Sequence, residues 1–213
     1  MLAVGLLMII SQAAPMLVHG KKKGEVSTTN QEDFTDYVPT STNTAGTMQL
    51  DQGTQIIGAV QGKDYTFILT DKAAYIMQFV GPPFTFSIRQ VGSNCGCVGQ
   101  HSIVFANGAV YWMSDSGGFF VFDGTVKSIP CSVQDYVYDQ ADTTKGQQVY
   151  AGLNNQFTEV VWYYPTTNSE YNDQYVVYNY AQKIWYFGTL SRTAWLDRGI
   201  RTFPIAASSS YLF

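Results

Sequence analysis

"AVYWMSDSGGFFVFDGTVKSIP", residues 109–130, decides how the rest of the chain is read. Its apolar and aromatic residues come in short bursts, AVYWM and FFVF, parted by clusters of Ser, Asp and Gly. Bursts of that length, bounded by turn residues, are strand signals; a helix needs about 10 or more residues with a different spacing. Ser114 to Gly118 and Asp123-Gly124 supply the turns. Just upstream, Asn107-Gly108 is a type I′ hairpin signal, because both central residues of that turn need positive φ. Asn107, Gly108, Asp123 and Gly124 are therefore expected to form turns, and Trp112, Phe119, Phe120 and Phe122 to face a sheet interior.

The same grammar recurs on either side. "YTFILTDKAAYIMQF" (65–79), "EVVWYYPTTNSEYNDQYVVYNYAQKIWYFGTL" (159–190) and "TFPIAASSSYLF" (202–213) each run strand, turn, strand, with the aromatics on the strands. The units start about 40 to 55 residues apart, the spacing of propeller blades. One such meander cannot bury its own face, and stacking on a neighbour supplies what is missing. The expected fold is all-β: repeated antiparallel meanders in a partial or open β-propeller-like array. Residues 56–213 hold about three to four units, whereas closed propellers use four to eight. Upstream lie an apolar segment, 1–26, and a Ser/Thr/Asn-rich stretch, 27–55, expected as an extended surface loop anchored by Phe34 and Tyr37. The one helix signal, "CSVQDYVYDQADTTKG" (131–146), allows one or two turns before Lys145-Gly146 stops it.

Composition narrows the function classes. The chain has 213 residues, 46% of them hydrophobic, enough for a real core, but only 13% charged. About 25% charged is usual, so much of the surface is uncharged. With 15 Tyr, 13 Phe and 4 Trp it is rich in residues that serve both strands and partner interfaces. The net charge of −4 and a single basic cluster, Lys21 to Lys23, give no nucleic-acid clamp. Three cysteines, Cys95, Cys97 and Cys131, exclude a complete disulfide framework and read as reduced thiols. Their spacing is wrong for a zinc knuckle, and His19 and His101 add no ligand at a useful interval. No metal and no cofactor is called for.

The first apolar run, about ten residues, is too short for a membrane span of about 20. Ser11-Gln12-Ala13 resembles a signal-peptide cleavage site, although no Lys or Arg precedes the run; a buried strand is the alternative. At the other end, Tyr211 to Phe213 read as the opening of another strand, which suggests a partial chain.

Catalysis would leave convergent titratable groups. "SDSGG" at 114–118 is close to the serine-peptidase GDSGG but lacks the leading Gly and a suitably placed His, and reads as a turn. Asp115, Asp123, Asp135, Asp139, Glu159 and Asp173 offer no evident acid/base pair. Lys183, Arg192 and Arg198 are too few to make "NYAQKIWYFGTLSRTAWLD" (179–197) a single-strand platform, so its aromatics are expected in a core. No catalytic residue is assigned. The long polar loops 139–146 and 166–173, with Asp142, Lys145, Asn168 and Tyr171, are the expected partner contacts.

The loop "D-x-T-D-x-x-PT-x-TN-x-AG" at 33–46, the strand pair "ILTDKAAYIMQF" at 68–79, the "VG-x-N-CG" turn at 91–96 and "YWMSDSGGFFVFDG" at 111–124 together resemble tail nozzle or hub proteins of short-tailed bacteriophages. Those are tail tubular protein B and the packaged-DNA stabilisation proteins. The resemblance covers roughly residues 30–200 and implies a structural virion protein assembled in the host cytoplasm. It further implies a homo-oligomeric ring with other tail subunits, in which DNA is retained and then conducted without specific binding, and no enzyme activity. Such proteins are several hundred residues long, so this chain is shorter. A weakly acidic wall suits a DNA conduit, since it repels phosphate. Two other readings stand beside it. One is a virion receptor- or carbohydrate-binding protein stacking sugars on Trp162 or Trp195; the other is a secreted propeller glycosidase using Glu159.

Overall fold

The computed structural model describes the backbone of residues 4–11 and 14–21. It describes backbone and side chains of 25–28, 33, 35–36, 38–40, 42–81 and 85–212. Phe34, Tyr37, Gln12, Ala13, Lys22 and Lys23, on which the loop-anchor, cleavage-site and basic-cluster readings partly rest, lie outside these.

The described chain is a succession of antiparallel meanders. In the first sheet β1 (Val4–Ser11), β2 (Ala14–Lys21), β3 (Glu25–Thr28) and β4 (Gly46–Gln49) pair in chain order. The second holds β5 (Ile56–Gln61), β6 (Thr66–Thr70), β7 (Ala73–Gly81) and β8 (Thr85–Ser93). The third is β9 (Ile103–Ala106), β10 (Ala109–Met113), β11 (Phe119–Phe122) and β12 (Val126–Ile129). Helix α1 (Gln134–Gln140) and a 3₁₀ turn (Thr143–Gln148) follow. The fourth sheet is β13 (Tyr150–Asn154), β14 (Glu159–Tyr164), β15 (Gln174–Asn179) and β16 (Ile184–Thr189), and the fifth is the pair β17 (Ala194–Leu196) and β18 (Ile205–Ala207). Among the described residues every pairing is antiparallel and no sheet closes into a barrel, so the chain is all-β with repeated open meanders. The stretch expected as a surface loop, 27–55, differs in detail: Thr28 and its neighbours pair with Gly46–Gln49, giving the first sheet two of its strands.

Two compact units divide the chain, Met1–Gly96 and Cys97–Phe213. Within the first, β1 lies against β5; within the second, β9 lies against β13 and β13 against β17. Within each unit, then, the first strand of one meander meets the first strand of the next, as in an open propeller-like arrangement.

Stacking explains the burial. In the first unit Val26 and Met48 of one sheet close on Ile68, Tyr75, Met77 and Phe86 of the other. In the second, Tyr111 and Phe119 of the third sheet meet Val160, Trp162, Tyr164, Val176 and Tyr178 from one face of the fourth. Phe119 sits 4.9 Å from Trp162 and 4.6 Å from Trp185, ring centre to ring centre. The alternate residues Val161, Tyr163 and Val177 form a second cluster with Trp195 of β17. Side chains point to opposite faces in turn along a strand, so β14, covered on both, is buried from Val160 to Tyr164. Gly152 makes one closure possible: a Cβ there would stand 2.6 Å from the Trp195 ring.

The turns follow their residues. Asn107 (φ 48) and Gly108 (φ 80) connect β9 to β10 in the left-handed region that type I′ requires. Asp123-Gly124 begins the β11–β12 turn, where the Asp123 carboxylate takes an ion pair from Lys127 at 2.7 Å. Ser114 to Gly118 joins β10 to β11, closed by Ser114 N–H donating to Gly118 O at 3.0 Å. The Tyr138 hydroxyl on α1 spans that loop, 2.8 Å from Ser114 O and 2.7 Å from Gly118 O.

Candidate functional site

Loops 139–146 and 166–173 come together as one surface. After α1 the chain turns extended at Ala141, which bridges Thr166. Asp142 N–H donates to Pro165 O at 2.9 Å and Thr167 N–H to Gln140 O at 3.2 Å. Asp142 caps the 3₁₀ turn, its carboxylate accepting from the Thr144 amide at 3.1 Å and pairing with Lys145 Nζ at 3.0 Å. The Thr144 hydroxyl, then the Lys145 ammonium, hold that carboxyl below its ordinary range, so it is charged at neutral pH. Lys145 Nζ reaches across to Ser169 O at 2.9 Å. From below, buried Asn172 donates to Gln148 O at 2.8 Å and to Arg192 O at 3.1 Å. The Asp173 carboxylate accepts from the Thr166 amide and hydroxyl, each at 2.9 Å.

The four expected contact residues therefore divide. Asp142 and Lys145 are spent on tying the two loops to each other. Asn168 and Tyr171 stand exposed on the loop so fixed. The braces Ser169 and Asn172 were not singled out in the sequence, and nothing in their local pattern marks them, since each acts on a segment remote in the chain; Asp173, weighed there only as a carboxylate for acid/base work, braces its own loop through Thr166. What results is a polar face braced by these bonds, with an exposed tyrosine; no nucleophile is paired with a base in it.

The other candidates have structural surroundings. Ser114 Oγ lies 2.9 Å from Ser116 Oγ and accepts from its amide at 3.2 Å, an ordinary turn device. Glu159 accepts from Asn154 at 3.1 Å and bonds the Tyr186 hydroxyl. Trp162 is fully buried and donates to Ser102 O at 3.0 Å, so no sugar can stack on it. Trp195 donates to Leu153 O at 2.6 Å and packs on Tyr163. His101 stacks on Tyr150 at 5.8 Å. Cys95, Cys97 and Cys131 form no disulfide with one another, and burial pushes Cys95 up to about 11. Among the described residues no three His, Cys, Asp or Glu side chains converge as a metal site would require, and no helix is long and apolar enough to cross a membrane.

The 33–46 loop also has an internal order. The Asn43 amide donates to Asp36 and to Val38 O, both at 2.8 Å, while its carbonyl accepts from the Thr40 amide at 2.9 Å. The expectation of a core for the aromatics of 179–197 holds for Trp185, which packs on the core. It fails for Tyr186 and Phe187, which stand 39% and 42% exposed on β16 beside the likewise exposed Ile184.

No protein-family model and no curated protein matches the chain. Solved structures do: one is a chain of a Saccharomyces cerevisiae complex described as dbp5 bound to nup159, gle1, IP6 and ADP. It is 10% identical, with a TM-score of 0.36 over 100% of this chain and 76% of that one. A likeness so distant carries no argument.

Proposed function

We propose that the chain is a structural component of a short-tailed phage tail nozzle or hub, forming part of a ring that retains packaged DNA and then conducts it. The observation that carries this reading is the succession of meanders adjoining by their first strands. It lies in the same residues whose loops and turns resemble that family. The 33–46 loop supports it as well, because its shared residues Asp36, Thr40 and Asn43 brace one another and fix the loop's shape. The face of Asn168 and Tyr171 is a contact surface for neighbouring tail subunits, and the net charge of −4 keeps DNA unbound as it passes. The role needs no turnover; shape and assembly perform it.

Antibody raised against the chain is expected to label the tail tip of intact particles in electron micrographs, and mass photometry of the protein to give a ring. A monomer absent from particles overturns the proposal.

A further inference from the structure

We propose that the outer edge of β16 is a docking site for an extended peptide segment of a partner, which adds to the fourth sheet as a further strand. The inference goes beyond the proposed tail role and does not depend on it.

Four outer strands end the four-stranded sheets, and three are defended. β4 and β12 are four residues long, exposing Thr47 and Gln49, and Lys127 and Ser128. β8 is longer but exposes Ser87 and Arg89, and its pairing is interrupted by two register shifts. Shortness, bulges and charge are the devices that keep a sheet edge from pairing with another chain. β16 has none of them. It is six residues long, pairs with β15 without a shift, and carries no charge from Ile184 to Leu190.

Its free hydrogen-bonding groups can be assigned. Leu190 N–H donates to Asp173 O at 3.0 Å, in the same register as the Gln174↔Thr189 to Asn179↔Ile184 pairs. Bonding alternates along an antiparallel strand, so 184, 186 and 188 bond β15 while the N–H and C=O of Trp185, Phe187 and Thr189 face outward. Nothing among the described residues pairs with that side.

The side chains choose the occupant. Tyr136, Ile184, Tyr186, Phe187 and Leu190 are each between 37% and 49% exposed, with Tyr136 and Phe187 in ring contact at 4.3 Å. Divided between the two faces that meet at this edge, they leave on the order of 400 Å² in all, within what monomers leave open and about half of the roughly 800 Å² per partner in a standard globular interface. That is too little for a second folded copy. It matches one strand of about six residues, about 20 Å long. Tyr186 and Phe187 lie on opposite faces of β16, so an added strand meets apolar groups above and below; the fitting segment is uncharged and apolar at successive positions. Beside the start of β16 a pocket of about 490 Å³, lined by Pro130, Cys131, Ser132, Lys183, Ile184 and Trp185, can take one bulky side chain. The Trp185 indole N–H, donating to Pro130 O at 2.8 Å, holds its wall in place. Backbone pairing with a side-chain pocket is the general form of strand-addition recognition.

The test uses the whole chain, a displayed library of random nonapeptides and two variants. Phe187→Pro removes an outward N–H without touching a bond to β15, a position where proline is tolerated; Tyr186→Lys charges the strip and leaves the backbone intact. Both are checked for unchanged circular dichroism. Uncharged peptides are expected to be enriched on the natural chain and to bind each variant at least about tenfold more weakly, about 1.4 kcal/mol. N-methylation at alternate peptide amides should abolish binding while the amides between are indifferent. Selected peptides that bind both variants equally, that tolerate methylation everywhere, or a failure to enrich any, overturn the proposal. So does sedimentation showing a dimer of the natural chain that Tyr186→Lys dissociates, which would give the edge to a second copy.

Discussion

β14 and β16 belong to the same sheet, have the same length and are similarly aromatic, EVVWYY against IWYFGT, yet they live in different surroundings. β14 is covered on both faces, by the third sheet through Trp162 and by Trp195 through Tyr163. Among the described residues β16 has a neighbouring strand on one side only, and its aromatic residues divide between core and solvent. The difference teaches that in a stacked meander the position of a strand, more than its composition, decides whether an aromatic side chain is a core residue or part of a contact surface.

The strongest way to break the comparison is to truncate one large apolar side chain on each strand. Trp162→Ala should lower unfolding free energy by about 3–5 kcal/mol, the cost of emptying a fully buried aromatic site, whereas Ile184→Ser, on β16, should stay within about 0.5 kcal/mol, as exposed substitutions do. Urea denaturation measures both, and equal losses would mean that β16 is covered.

Alkali tests the buried side next. Burial pushes the Tyr163 hydroxyl up to about 12 against the pull of the Arg192 guanidinium; burial, then Tyr178, Tyr180 and Asp123, does the same for Tyr111. In the unfolded chain both ionise near the ordinary value of about 10. A raised folded value favours the protonated, folded form, so this contribution is whole below about pH 10 and is lost as pH rises through about 12. Denaturation midpoints at stepped pH should be flat up to 10 and fall beyond it. Tyr163→Phe should blunt the fall.

Smaller effects sharpen the picture. Gly152→Ala, placing a methyl against the Trp195 ring, should cost about 1–3 kcal/mol by overpacking β13 against β17. Trp195→Leu should recover part of that, as a double-mutant cycle can measure. Gly108→Ala, in a turn that needs positive φ and with nothing within 4 Å of the added methyl, should cost about 1 kcal/mol from backbone strain alone. It should leave the core-dependent alkaline profile unchanged.

The fold was legible because its signals are local. Asn107-Gly108, Ser114 to Gly118 and Asp123-Gly124 sit where the structure turns, and 131–146 holds α1 and most of the 3₁₀ turn. The first sheet was less legible: β3 and β4 are separated by a long polar segment, and four-residue strands whose partner is remote in sequence leave little periodicity to read. For the site, the choice of loops 139–146 and 166–173 rested on length and polarity. Their tie through Lys145 and Ser169 links residues 24 apart in the chain, which no window of sequence displays. The exposure of Tyr186 and Phe187 was hidden for the opposite reason: an aromatic strand at the rim of a sheet is written like one at its centre.

What the sequence by itself determined, then, is the strand-and-turn repeat, because φ preferences and period-two hydrophobicity act over a few residues. Only the tertiary structure decided which aromatic faces are covered, which polar loops brace one another and which sheet edge is left open. Burial and pairing are properties of neighbours brought together from distant parts of the chain.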